Sequence, residues 1–61
     1  MVRLKDLTLL DTGRAATLED TDGTTLTGHI IADPLYSGKL AFKMDNGEII
    51  DIFITDRITF S

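Results

Sequence analysis

Two tripeptides that end in glycine constrain the fold of this chain more than any other feature. Thr21-Asp22-Gly23 and Asp45-Asn46-Gly47 each interrupt a segment in which apolar residues alternate with polar ones. A three-residue hairpin loop ends with a residue in the left-handed region of backbone conformation, which glycine occupies without steric cost. Each tripeptide therefore predicts a β-hairpin with a three-residue loop.

The alternation fixes the register of the first hairpin. With a three-residue loop, Leu18 lies opposite Leu26, so that apolar residues share one face of the sheet. A two-residue Asp-Gly loop would set Leu18 opposite Thr27 and mix the two faces. The inner face is then predicted to carry Ala16, Leu18, Leu26, Gly28, Ile30 and Ala32.

The second hairpin follows the same logic. Phe42 lies opposite Ile50 and Leu40 opposite Ile52. The inner face is predicted to carry Leu40, Phe42, Met44, Ile50, Ile52 and Ile54. Asp51 interrupts this apolar run and belongs to the opposite, outer face, together with Lys39, Ala41 and Lys43. We therefore interpret Asp51 as a marker of the outer face rather than as a buried carboxylate.

A fifth strand with Ile58 and Phe60 on its inner face completes the pattern. Five short strands joined by tight turns predict an all-β, five-stranded small barrel of the Sm or SH3 kind, a single domain over residues 1–61. Pro34 marks the loop between the two hairpins.

The first ten residues allow two interpretations. Leu4, Leu7 and Leu10 have helical spacing, and Gly13 is placed to end such a helix. The run 7–9 also suits a strand. We favour a short N-terminal helix.

Composition excludes several classes of function. The 61 residues include one histidine, His29, and no cysteine, which is too few for most zinc sites and nucleophilic triads. The net charge is −4, and residues 19–38 carry four carboxylates and no lysine or arginine. Nucleic acids are bound through clustered basic residues, so the charge disfavours such a partner. We predict no cofactor, no metal and no enzymatic activity.

Hydropathy gives no sign of a membrane segment. No apolar run approaches the roughly 20 residues of a membrane-spanning helix, and the first residues lack the apolar stretch of a signal peptide. These observations predict a soluble, cytoplasmic protein.

The spacing of several residues resembles that of the Sm-like barrel family. The residues that match its first motif are Leu18, Gly23, Leu26, Gly28, Ile30 and Asp33. In that family RNA bases stack in the following loop, where this chain has Tyr36 and Ser37, and a basic residue before glycine completes the pocket. Thr55-Asp56 stands at that place here. The resemblance implies assembly through strand edges into a ring or dimer, and an RNA site that is eroded or absent.

Two features are candidates for partner binding. Ile49 and Phe53 flank Asp51 on the predicted outer face and, with Ile31, would form an apolar patch of the kind that marks interfaces, unless the N-terminal segment covers it. Leu35 and Tyr36 form an apolar pair in the Pro34 loop, which would either contact a partner or pack on the barrel itself.

The sequence therefore predicts a non-enzymatic module that binds a protein partner or itself, with homo-oligomers expected. The alternative is an Sm-like protein that binds RNA or single-stranded nucleic acid through Tyr36, Ser37 and Arg57, where an aromatic side chain would stack on a base.

Overall fold

A computed structural model describes all 61 residues. Two 3-10 helices, Leu4–Asp6 and Leu9–Asp11, precede five strands. The strands are β1 (Ala15–Glu19), β2 (Thr25–Ala32), β3 (Leu40–Met44), β4 (Ile49–Asp51) and β5 (Arg57–Phe60). All neighbours in the sheet pair antiparallel, in the order β4-β3-β2-β1-β5. An all-β domain of five strands is thus confirmed. Neither helix has the length and apolar character needed to cross a membrane.

Both predicted hairpins form with the predicted register. Leu18 pairs with Leu26 and Phe42 pairs with Ile50. Gly23 and Gly47, the last residues of the two loops, have φ angles of 85° and 92°. A residue with a Cβ rarely adopts this conformation, which explains why both loops end in glycine.

The sheet curls around one core but does not close. Seven buried side chains form a single cluster: Ala16, Leu18, Ile30, Leu40, Phe42, Ile52 and Ile58. Ile50 of β4 and Leu18 of β1 line one groove, although these strands would lie about 14 Å apart in a flat sheet. β4 and β5 are the two edges, and no ladder joins them. Closure into the predicted barrel is therefore not found.

The alternation predicts burial correctly only inside the strands. Ile54 was expected in the inner row but is 77% exposed. β4 ends at Asp51, and the N–H of Asp56 donates to the Phe53 carbonyl at 3.0 Å, so Ile54 lies within a turn and not in the strand. Ala32, also expected in the core, is exposed because it ends β2 at the rim of the sheet.

One further residue departs from the predicted burial, and one buried carboxylate was not expected. Ala41, expected outside, is fully buried, since its small side chain lies between the longer Ile31 and Asp51 of the neighbouring strands. Asp51 is exposed as predicted, and the buried carboxylate of this region is Asp56, which is only 3% exposed.

The N-terminal segment is helical only over single 3-10 turns. Leu4 and Leu7 pack against the core, whereas Leu10 is exposed, so the expected continuous helical stripe is not formed. Val2 instead pairs with Ile58, and each donates its N–H to the carbonyl of the other at 2.7 Å. This bridge covers part of the outer edge of β5 and was not predicted.

Asp11 fixes the second 3-10 helix. Its carboxylate accepts the Thr8 N–H at 2.9 Å and a hydrogen bond from Arg14 Nη1 at 2.9 Å. Both bonds favour the ionised form and hold the pKa of Asp11 below its ordinary value, with the backbone bond as the larger cause. The Arg14 guanidinium also stacks on the Phe60 ring, 3.6 Å from its centroid.

Candidate interaction surface

β4 is an edge strand with one unpaired side. Its hydrogen bonding to β3 begins at the loop, where the Met44 N–H donates to the Glu48 carbonyl at 2.8 Å. Successive residues of an antiparallel strand direct their backbone groups alternately toward and away from the partner strand. The backbone N–H and C=O groups of Glu48 and Ile50 therefore point toward β3. Those of Ile49 and Asp51 point away from the sheet. Unpaired groups of this kind can accept another strand.

Exposed apolar side chains flank this unpaired edge. Ile49 is 46% exposed and Phe53 is 66% exposed. We refer to these two side chains, with the unpaired backbone of Ile49 and Asp51, as the β4 surface. The N-terminal segment packs on the opposite, core side through Leu4 and Leu7 and leaves the β4 surface uncovered.

Ile31 does not extend the β4 surface as expected. Cross-strand pairing places Ile31 beside Ala41, which in turn lies beside Asp51. Ile31 is half-buried, and one strand separates it from β4. The structure thus keeps Ile49 and Phe53 at β4 and sets Ile31 apart.

Lys39 joins the β4 surface to the loop between β2 and β3. Its Nζ lies 3.3 Å from Asp51 Oδ1 and 4.0 Å from Asp33 Oδ2, and 5.2 Å from the centre of the Tyr36 ring. Of the two lysines that the sequence places on the outer face with Asp51, Lys39 thus forms an ion pair with it, whereas Lys43 forms none. The pair with Asp51 is exposed and contributes at most about 1 kcal/mol.

The loop that carries Leu35 and Tyr36 is ordered by Asp33. Asp33 Oδ1 accepts the N–H groups of Leu35 at 2.8 Å and Tyr36 at 3.2 Å, and the Asp33 N–H donates to the Lys39 carbonyl. Leu35 is 82% and Tyr36 is 62% exposed, and Ser37 is exposed beside them. Packing of this apolar pair on the sheet, the alternative interpretation, does not occur.

The residues of the predicted nucleic-acid site do not converge. Arg57 Nη1 lies 3.9 Å from Glu19 Oε1. Both residues lie level with Thr25, the first residue of β2. Tyr36 follows the other end of β2, and that strand spans roughly 23 Å. Arg57 lines a polar depression with Arg3, together with Glu19 and other residues of the first hairpin loop. Within one chain, Tyr36 and Arg57 therefore belong to separate surfaces.

A groove next to β4 was not predicted. It has a volume of about 340 Å³ and lies between β4, the first hairpin and the turn after β4. Its apolar lining residues are Leu18, Leu26, Ile50 and Phe53, and its polar lining residues are Asp20, Asp51 and Asp56. We call this the acidic groove, because every polar residue in its lining is an aspartate.

Asp56 shapes the acidic groove. Its Oδ2 accepts the Phe53 N–H at 2.8 Å, and this bond closes the turn that brings Phe53 to the groove. The family resemblance put Thr55-Asp56 at the place of the basic residue and glycine of an RNA pocket, and the structure instead buries Asp56 beneath this turn. The one sequence signal was an aspartate placed to bond a nearby backbone N–H, which is characteristic of turns.

The comparisons with family models, curated proteins and solved structures give no match to this chain. No group of three or more histidine or carboxylate side chains is arranged to hold a metal ion. The β4 surface and the acidic groove are therefore interpreted from their own geometry.

Proposed function

We propose that this protein is a non-enzymatic interaction module that binds a protein partner or a second copy of itself through the β4 surface. One observation carries the proposal. Along the free edge of β4, the unpaired backbone groups of Ile49 and Asp51 lie next to the exposed apolar side chains of Ile49 and Phe53. Hydrogen-bonding groups along a strand edge and apolar contacts beside it are the two components of recognition by strand addition.

The scaffold supports this proposal. We propose that the curled five-stranded sheet is an Sm-like or SH3-like small barrel with an open seam. The antiparallel order, the helical turns before β1 and the glycine at position 28, where a Cβ would overlap the Lys43 carbonyl, all agree with that architecture. A domain of this size has a limited core, and association is a common source of added stability. Exposed loop residues Leu35 and Tyr36 lie at the Lys39 end of β4 and extend the contact area.

Sedimentation over a range of protein concentrations tests the proposal. We expect the chain to self-associate and Ile49→Asp to shift the equilibrium toward monomer. Burial of the exposed part of Ile49 would contribute roughly 1 kcal/mol to association. A symmetric dimer buries this side chain twice, so its loss in both copies is expected to raise the dissociation constant about 30-fold. An aspartate at position 49 lies directly opposite Lys43, so the substitution places no like charge opposite it on the neighbouring strand.

Leu10→Asp is the matched control. Leu10 is 92% exposed on the second 3-10 helix, outside the β4 surface. The same apolar-to-acidic change at this position is expected to leave the mass distribution unchanged. A wild-type chain that remains monomeric at the highest concentration, or a Leu10→Asp variant that dissociates as Ile49→Asp does, would count against the β4 surface.

Nucleic-acid binding is less well supported by the geometry. Tyr36 is exposed, but the only cation near its ring is Lys39, which is shared with Asp33 and Asp51. Arg57 lies on another surface next to Glu19. A titration with short single-stranded oligonucleotides at low salt is the direct test, and we expect no binding at micromolar protein.

A further inference from the structure

We propose that the acidic groove receives an arginine side chain from an extended segment of a partner protein, while the backbone of that segment pairs with the unpaired edge of β4. This inference rests on the proposed function, because it specifies the chemistry of the partner that the β4 surface binds. The occupant is a peptide segment, not a small cation or a nucleic acid.

The lining of the groove matches the two parts of an arginine side chain. Leu18, Leu26 and Ile50 provide apolar walls for the three methylene groups of the stem. Phe53 offers an aromatic ring, on which a guanidinium stacks favourably. Asp20 and Asp56 supply carboxylate acceptors, whereas the carboxylate of Asp51 is bound to Lys39 on the outer face. No basic residue lines the groove.

Asp56 is the strongest individual pointer to a cationic ligand. It is 3% exposed, and within the chain only its Oδ2 accepts a hydrogen bond, from the Phe53 N–H. Asp56 is also one of the residues that line the acidic groove. A carboxylate held in this way gains from a charged hydrogen-bond donor far more than an exposed one does.

The pleat of β4 determines which residue of the partner enters the groove. Side chains of an added strand alternate in step with those of the strand it pairs with. The partner residue opposite Ile50 therefore points to the inner side, where the groove lies. The residues on either side of it lie opposite Ile49 and Asp51, on the outer face. The expected recognition pattern is an arginine between two residues, of which the one beside Ile49 is apolar.

Peptide binding measured by fluorescence anisotropy tests the inference. The probe is a short labelled peptide with valine residues on both sides of a central arginine. In a second peptide, citrulline replaces the arginine, which keeps the shape of the side chain and removes its charge. We expect saturable binding of the arginine peptide and at least about tenfold weaker binding of the citrulline peptide. A third peptide, methylated at the backbone nitrogens that would face β4, is expected to lose binding as well.

Two protein variants separate the role of the groove from general electrostatics. Asp56→Asn removes the charge and retains an oxygen that can accept the Phe53 N–H, and we expect it to weaken the arginine peptide about tenfold. Asp22→Asn is the matched control, since it removes the same charge from the exposed loop of the first hairpin outside the groove. It is expected to change the affinity less than twofold.

Three results would overturn the inference: no saturable binding of the arginine peptide, equal binding of the citrulline peptide, or equal losses in Asp56→Asn and Asp22→Asn. The proposed function fails separately. Self-association that Ile49→Asp disrupts keeps the β4 surface as an interface even when the arginine peptide does not bind.

Discussion

Replacement of Asp56 by alanine tests whether the turn after β4 depends on this carboxylate. Asp56 and Phe53 are joined by two hydrogen bonds, one from the Phe53 N–H to Oδ2 at 2.8 Å and one from the Asp56 N–H to the Phe53 carbonyl at 3.0 Å. Asp56→Ala removes the first bond and leaves the Phe53 N–H, which is partly buried, without an acceptor. The backbone bond alone then holds the turn.

The expected cost is large for a domain of this size. A hydrogen bond to a charged group contributes about 1.5–3 kcal/mol. Domains have roughly 0.05–0.15 kcal/mol of stability per residue, which gives about 3–9 kcal/mol for this chain. With the middle of both ranges, Asp56→Ala is expected to remove about a third of the stability. With about 4–8 °C per kcal/mol in small domains, the Tm is expected to fall by about 6–24 °C.

Thermal and urea unfolding followed by circular dichroism measure this effect. Asp56→Asn is the matched variant, because its side-chain carbonyl can replace Oδ2 as the acceptor, and we expect it to retain most of the stability. If Asp56→Ala unfolds within about 0.5 kcal/mol of the wild type, the bond to Phe53 is not what holds the turn. If the asparagine variant is as unstable as the alanine variant, the charge matters more than the acceptor, and the reasoning is refuted.

Three further predictions concern the rest of the sheet. Gly28→Ala would overlap the Lys43 carbonyl across the β2–β3 ladder, and we expect a loss of about 1–3 kcal/mol or more in urea unfolding. Asp11 has a lowered pKa in the folded chain, so its ionised form stabilises the fold. This contribution to stability is complete above the pKa of the unfolded chain, about 3.9, and is lost as the pH falls through the pKa of the folded chain. Asp11→Asn should accordingly flatten the fall of Tm below about pH 4 relative to the wild type. Lys39→Met removes an exposed ion pair with Asp51 and a 4.0 Å contact with Asp33, and we expect a change in the free energy of unfolding of about 1 kcal/mol or less.

The hairpins could be predicted because their determinants are local. Each loop needs a residue with positive φ, and Gly23 and Gly47 provide it at the position that keeps Leu18 opposite Leu26 and Phe42 opposite Ile50. The alternation then assigns the inner face of every paired segment. Predictions that rest on this alternation hold within the strands, except for the buried Ala41 of β3 and for Ala32 at the exposed end of β2.

The candidate site could be predicted only in part, because it depends on where strands end and how the sheet curls. Alternation placed Ile54 in the core, but the Asp56 turn ends the strand before it. Ile50 and Leu18 lie far apart in sequence and meet at one groove only because the sheet is curved. The bridge from Val2 to Ile58 joins residues 56 positions apart and leaves no local pattern. Exposure of Ile49 and Phe53 was predictable, whereas the groove beside them was not.

The two edges of the sheet limit how copies of this chain can assemble. A head-to-tail ring would pair the free edge of β4 with the outer edge of β5. On that side of β5, the N–H and carbonyl of Ile58 already form two hydrogen bonds with Val2. Ring formation would therefore have to displace Val2. A two-fold dimer through β4 alone keeps the bonds between Val2 and Ile58. If Ile50 lies opposite Ile50 of the other copy, Ile49 lies opposite Asp51 of that copy. The two Asp51 side chains then do not face each other. Self-association through the β4 surface is thus expected to stop at the dimer, and an arginine-bearing segment that pairs with the same edge would compete with it.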